Sequence, residues 1–226
     1  MRTYITTALL FTTALCAQDT ATYHVAFLRP DPARTKLSKE DGERIQAAHM
    51  ANIRKMSDDG HLVAAGPFDD TPTTISGVFV MKADSLEEAK RIARQDPTVV
   101  EHRNTIDVHQ WQGPAGIGEE YKRVHKADPK TPEGMGPHPL VLFYAGPNWK
   151  PGTTAIAESI TALRGGGKLV AAGPVEGSER LKALLIFQRI PAADEIGAIE
   201  ELPAVKAGIL KPEHHMFWSS AHVFPW

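Results

Sequence analysis

Cysteine is nearly absent from this chain of 226 residues, where Cys16 is the only one. A single thiol cannot build a disulfide framework, so the fold has to rest on an ordinary hydrophobic core. Aromatic residues are sparse, at 7%, and neither sign of charge dominates, the formal net charge being −2. That near-balance excludes a strongly basic face of the kind that grips a phosphate backbone, so nucleic acid is not expected as a partner. Past the first few residues no apolar run is long enough to cross a bilayer, and no membrane span is expected. What is present is a normal globular mixture, 42% hydrophobic and 23% charged, of a length that suits one or two domains.

The first residues have their own pattern. Arg2 precedes an apolar stretch centred on Ala8-Leu9-Leu10-Phe11, and Ala14-Leu15-Cys16 puts small residues at the −3 and −1 positions of a cleavage point before Ala17. This order predicts a signal peptide over residues 1–16 and a periplasmic or secreted mature chain. Thr13-Ala14-Leu15 is a poor lipobox, and removal of Cys16 with the leader excludes thiol catalysis.

The chain contains a long repeat. Gly60-His61-Leu62-Val63-Ala64-Ala65-Gly66-Pro67 returns 107 residues later as Gly167-Lys168-Leu169-Val170-Ala171-Ala172-Gly173-Pro174. The interval is too long for a solenoid unit and fits a duplicated domain with a linker. The flanks agree, because residues 76–81 map onto the apolar residues 183–188, and residues 86–95 map onto 193–202. The expected organisation is a first domain over 22–111, a Gly- and Pro-rich linker over 112–137 with one helical turn near Glu119, and a degenerate second domain over 138–226.

Within the first copy the order is strand (23–28), helix (from a Ser38 cap to about Asp59), strands (62–65 and 75–81), helix (from a Ser85-Leu86-Glu87-Glu88 capping box to before Pro97) and strand (105–111). This is the βαββαβ order of a ferredoxin-like unit. Its sheet has helices on one face only, so the other face must be covered. A second copy in the same chain supplies the cover. The expected fold is therefore α+β, with two ferredoxin-like βαββαβ domains forming a pseudo-dimeric α+β barrel.

The copies differ at polar positions. The inward stripe of the first helix is Ile45, Ala48, His49, Asn52, Ile53 and Met56, and His49 has Ile156 as its counterpart. Asp96, just before Pro97, has Leu202 as its counterpart if one residue is deleted and Pro203 if none is. The paired loss of a histidine and an acid marks them as acting together, whereas a lone core histidine would more often be satisfied by a backbone carbonyl.

With these residues in view, the first copy resembles the YciI-like (YCII-related) domain family. The resemblance rests on Arg44 and His49, on Gly60-x-Leu62-x-x-x-Gly66-Pro67, on Asp96-Pro97 and on a last strand ending in Trp111. It covers residues 23–111 and, more weakly, 139–226. It implies a fold similar to muconolactone isomerase and other dimeric α+β barrels, with His49 and Asp96 as a catalytic pair between sheet and helices. A dehydrochlorinase acting on a chlorinated hydroquinone belongs to the same family. Arg44 stands further from His49 than the family's Arg-x-x-His spacing. The degenerate second copy limits the chain to one such site.

A carboxylate on one imidazole nitrogen fixes the tautomer and raises the basicity of the other. Without serine, cysteine, metal or cofactor, such a pair suits proton transfer on a small organic ring or lactone, as in an isomerase or a lyase. Candidate substrate contacts are Arg44, Gly66, Pro67 and His109, with Arg103 as a further cation. His109 shares a strand face with Asp107 and Trp111 and is expected to line the same interface as His49. His102, His109, His214, His215 and His222 have no metal-ligand spacing, and Gly165-Gly166-Gly167 reads as a helix stop rather than a phosphate loop. Self-association through the barrel is a further expectation. The rival reading is an exported binding or scaffold module without turnover, in which the aromatic tail from Trp218 to Trp226 covers a sheet edge or meets a partner.

Overall fold

The computed structural model describes residues 19–70, 74–166, 168–189 and 193–225. The leader over 1–16 and Gly167 lie outside this range. The chain forms β1 (Thr20–Pro30), α1 (Lys39–Asp58), β2 (Leu62–Pro67), β3 (Gly77–Met81), α2 (Leu86–Ala93), α3 (Pro97–Val100) and β4 (Asn104–Pro114). After α4 (Glu119–Ala127) the pattern returns as β5 (Gly136–Ala145), α5 (Ala155–Arg164), β6 (Leu169–Glu176), β7 (Leu181–Phe187), α6 (Ala193–Glu200), α7 (Pro203–Lys206) and β8 (Leu210–Ser219). Three helices go beyond what the sequence led us to expect. Between the copies stands the nine-residue α4 where one turn was expected, and short helices follow α2 and α6. Pro97 and Pro203 sit in the first turns of these short helices, where a missing N–H costs nothing.

Local sequence explains the starts of the helices. Ser38 accepts a hydrogen bond from the Asp41 amide at 3.0 Å and donates to the Asp41 carboxylate at 2.7 Å, a side-chain cap without the reciprocal backbone bond of a full capping box. Ser85 caps α2 through the Glu88 amide at 3.1 Å, while the Glu88 carboxylate takes the Asp84 amide at 2.9 Å.

The strands form one eight-stranded antiparallel sheet in the order β2-β3-β1-β4-β6-β7-β5-β8. The halves join at β4 and β6, where Trp111 pairs with Val175. They meet again where Phe68, just past β2, bridges Phe217 of β8. With the one-residue deletion Phe217 is the counterpart of Trp111, and Val175 is the counterpart of Phe68. The two seams are thus related by a pseudo-twofold axis, and the fold is an α+β barrel built within one chain.

Alternation along the strands sorts the apolar residues into three cores. The barrel interior holds Tyr23, Val25, Phe27, Val78, Trp111, Leu140, Leu142, Leu184 and Phe217, drawn from both halves. The face that a lone sheet would leave bare is buried there. Val223 and Phe224 of the tail join this interior core, where the Phe224 ring meets His138 and Phe217 edge-on. Outside lie two helix-covered layers, one under α1 and α2 with Ala26, Leu28, Phe79 and Met81, the other under α5 to α7 with Val141, Phe143, Ile160 and Leu202. Among the described residues no helix is long and apolar enough to cross a membrane.

Candidate active site

The site lies in the helix layer of the first half. The Ser38 cap sets the phase of α1 so that Ile45 and Met56 are buried against the sheet. His49 and Asn52 lie on the same stripe, one and two turns along. Asp96 caps α3 with extended backbone angles, which turns its side chain back toward α1.

The Asp96 carboxylate is fully buried and fully used. One oxygen lies 2.8 Å from His49 Nδ1 and accepts the Asn52 amide at 3.0 Å. The other accepts the Thr98 backbone N–H at 3.0 Å and the Thr98 hydroxyl at 2.6 Å. An isolated buried carboxylate would neutralise itself, and four donors offset the loss of water. Burial alone pushes the Asp96 carboxyl up, but the hydrogen bonds from His49 and Thr98, the His49 charge and the Asn52 amide outweigh it, and the net shift is downward.

An ionised carboxylate can only accept, so Nδ1 of His49 must carry the hydrogen. In the neutral ring the lone pair is then on Nε2. The ring stacks on Phe79 with 6.0 Å between centroids, and its side chain keeps 17% exposure while Asp96 has none. Among the described residues Nε2 has no hydrogen-bond partner, nor is it one of the sealed, unpaired atoms. The arrangement fixes one imidazole tautomer and leaves Nε2 without a protein partner among the described residues, on a side chain that is partly exposed.

The second half has lost the whole network. Ile156 replaces His49, Ser159 replaces Asn52, Leu202 replaces Asp96 and Ala204 replaces Thr98. Leu202 caps α7 as Asp96 caps α3, which settles the alignment in favour of the deletion. Asn52 and Thr98 were not singled out from the sequence as site residues. Their signals were present: Asn52 lies three residues from His49 on one helix face, and Asp-Pro-Thr is a helix-start pattern.

The other expected contacts lie elsewhere. Arg44 is exposed and pairs with Glu101 at 3.1 Å and Asp41 at 3.5 Å. Arg103 donates to the Thr35 carbonyl at 2.7 Å and braces the loop before α1. His109 does not share an interface with His49. On β4 it is Val108 that packs under the helices, while His109 points into the barrel, 6.2 Å from the Phe27 ring and 2.9 Å from Asp107. Gly66 lies at the β2–β8 seam, where an added Cβ would come within 1.7 Å of the Trp218 carbonyl oxygen, and Gly173 meets Gln112 at 1.6 Å in the same way. This close approach of strands accounts for the repeated Gly-Pro without a substrate. Pro67 ends β2 on the exposed side of that seam.

Among the described residues no group of three or more His, Cys, Asp or Glu side chains is arranged to hold a metal ion. His102 and His222 have positive φ of 52° and 64°, and their counterparts Gly208 and Gly116 have 65° and 88°. These histidines stand at turn positions that favour glycine. Two cavities lie away from His49. One of about 130 Å³ is lined by Asp70, Leu140, Ile196, His214, His215 and Met216 among others. The second, about 620 Å³ and shallower, follows β5 around Trp149 and Lys150.

Comparison with known proteins bears on the family and the fold. Residues 22–111 match the model of the YCII-related domain. The uncharacterized protein YjpA of Bacillus subtilis (strain 168) is 32% identical over 66 residues, covering 29% of this chain and 74% of that protein. Two variants of chlorite dismutase from Candidatus Nitrospira defluvii share the fold with TM-scores of 0.57 and 0.55, at 10% and 11% identity. They align over 89% and 88% of this chain and 92% of each of theirs. At that identity the likeness concerns the fold alone.

Proposed function

The chain belongs to the YciI-like, YCII-related family, and from that premise we propose that its first half is a cofactor-independent acid–base enzyme, with His49 as the base and Asp96 as its positioning partner. The observation that supports this most is the His49–Asp96 contact of 2.8 Å, with Asp96 saturated by donors and His49 Nε2 open to solvent. The substrate class we assign is a small organic ring or lactone with an acidic C–H beside a carbonyl. His49 Nε2 takes that proton, and Asp96 stabilises the imidazolium that forms. In an isomerisation the C–H electron pair enters a new double bond, and the imidazolium returns the proton to a different carbon. In an elimination the pair forms the double bond as a leaving group departs with its own electrons, and the imidazolium releases the proton to solvent. The reading includes export, supported by the leader-like sequence of residues 1–16.

The mature chain, with His49→Asn and Asp96→Asn beside it, is to be assayed on a panel of unsaturated lactones and halogenated hydroquinones. Turnover that falls by about 10²–10⁴-fold in His49→Asn supports the proposal. Turnover that the variant retains, or none on any member, turns the reading to its rival. That rival is an exported small-molecule-binding or scaffold protein, and the observation in its favour is that neither cavity described above borders His49.

A further inference from the structure

The two seams of the barrel are related by pseudo-symmetry but are held by different forces. At the β4–β6 seam the backbones pair at Gln110–Glu176 and Trp111–Val175, and the Trp111 indole donates to the Gly173 carbonyl at 3.1 Å. At the β8–β2 seam one bridge joins Phe68 and Phe217, and the Asp69 amide donates to the Met216 carbonyl at 2.9 Å. Beyond this pair a side chain takes over from the backbone. The Met216 amide donates not to a carbonyl but to the Asp70 carboxylate, at 3.0 Å.

The other Asp70 oxygen lies 2.6 Å from His215 Nδ1, and His215 Nε2 lies 2.9 Å from Glu213. The His215 side chain is 3% exposed. Both ring nitrogens face carboxylate oxygens, which only accept when ionised, so both contacts are hydrogen bonds only if the ring is an imidazolium. Asp107 and His109 repeat the acid-x-His pattern on β4, again at 2.9 Å. The residue equivalent to Asp70, however, is Gly177. A pair of oppositely chargeable side chains across a seam, Asp70 with His215, is therefore made at β2–β8, whereas at β4–β6 the Glu176 carboxylate accepts from the neutral Gln110 amide.

We propose that the β2–β8 seam is an ionic latch along which the barrel opens, with the β4–β6 seam as its permanent joint. The latch consists of Asp70 on the first half and of His215 and Glu213 on the second. Around it stand Phe68, whose ring meets His215 edge-on at 5.2 Å, and Tyr144, which interacts with Glu213, Arg29 and Arg180. On the opposite face of β8, His214 lies 3.3 Å from Glu200. The 130 Å³ cavity is walled by the same Asp70, His215 and Met216, so parting the seam widens that cavity toward the barrel interior. Charge-assisted hydrogen bonds hold such a contact only while both partners stay charged.

Amide hydrogen exchange on the full mature chain at neutral pH tests this, read separately for peptides spanning residues 68–70 and 213–217 and for those spanning 110–112 and 173–176. In the native protein the β2–β8 peptides exchange faster than the β4–β6 peptides. Asp70→Asn accelerates exchange at β2–β8 by about tenfold or more and leaves β4–β6 unchanged, as the loss of a hydrogen bond to a charged group implies. Equal protection at the two seams of the native protein overturns the proposal, and this arm needs no variant to fold. An Asp70→Asn protein in which neither seam changes, or in which both accelerate together, overturns it as well.

Discussion

The helix layers of the two halves start from one pattern and end as opposites. In the first half, three polar side chains and one backbone N–H from α1 and α3 meet around a buried carboxylate. In the second, Ile156, Ser159, Leu202 and Ala204 occupy those places in a mainly apolar layer. The strands and the glycine at each seam remain alike, while α5 and α7 start without the side-chain caps of α1 and α3. The fold therefore does not need the polar network, since the second half folds without the histidine and the carboxylate. The proposed acid–base role accounts for a buried ionised group that the architecture can do without.

The sharpest way to break this comparison is at the shared seams. Gly66→Ala and Gly173→Ala are each expected to destabilise the chain by about 3 kcal/mol, because the new methyl meets a backbone carbonyl rather than a yielding side chain. Chemical denaturation of both variants checks this, and a cost at one glycine without the other would show that the halves are not equivalent.

A transplant between the halves comes next. Asp96→Leu alone strands the donors of His49, Asn52 and Thr98 and is expected to cost about 2–3 kcal/mol. Adding His49→Ile, Asn52→Ser and Thr98→Ala should recover more than half of that loss, because it leaves only a small serine hydroxyl and the residue 98 backbone N–H without the carboxylate. If the fourfold variant is no more stable than Asp96→Leu, then packing and not hydrogen bonding separates the two layers.

Acid should narrow the gap between the native chain and that fourfold variant. The folded Asp96 carboxyl titrates below its ordinary value of 3.8, so its contribution is complete above that value and is lost as pH falls through the folded one. Denaturation at steps below pH 4 should show the difference shrinking. His24 acts on both proteins alike. It is buried with neither nitrogen bonded, and burial holds its pKa below 6.5. Its contribution is present above that value and is lost as pH falls through the folded one.

The smallest effect concerns Ser159, the counterpart of Asn52, whose buried hydroxyl has no partner. Ser159→Ala should be neutral or stabilising by up to about 1 kcal/mol. A clear loss of stability would mean that the second half keeps a use for this polar group.

The sequence carried the duplication and the barrel because both are written in local signals: the Gly-Pro octapeptide, the serine caps and the alternation of the strands. The His49–Asp96 pair was legible through its absence from the second copy. Thr98 and Asn52 were harder to read, since each looks like an ordinary cap or helix residue until Asp96 turns back toward α1. His109 was placed against the wrong partner because a strand's period shows which residues share a face but not which layer that face meets. The contact of Asp70 with His215 joins residues 145 apart in the chain, and no local pattern announces it.

The measurement that bears most directly on the central claim is the ¹⁵N NMR spectrum of the His49 imidazole at a pH where the ring is neutral. The account predicts a hydrogen on Nδ1 and a bare lone pair on Nε2, with that preference lost in Asp96→Leu. A hydrogen on Nε2 in the native chain would contradict it, because His49 would then have no lone pair with which to take a proton from a substrate.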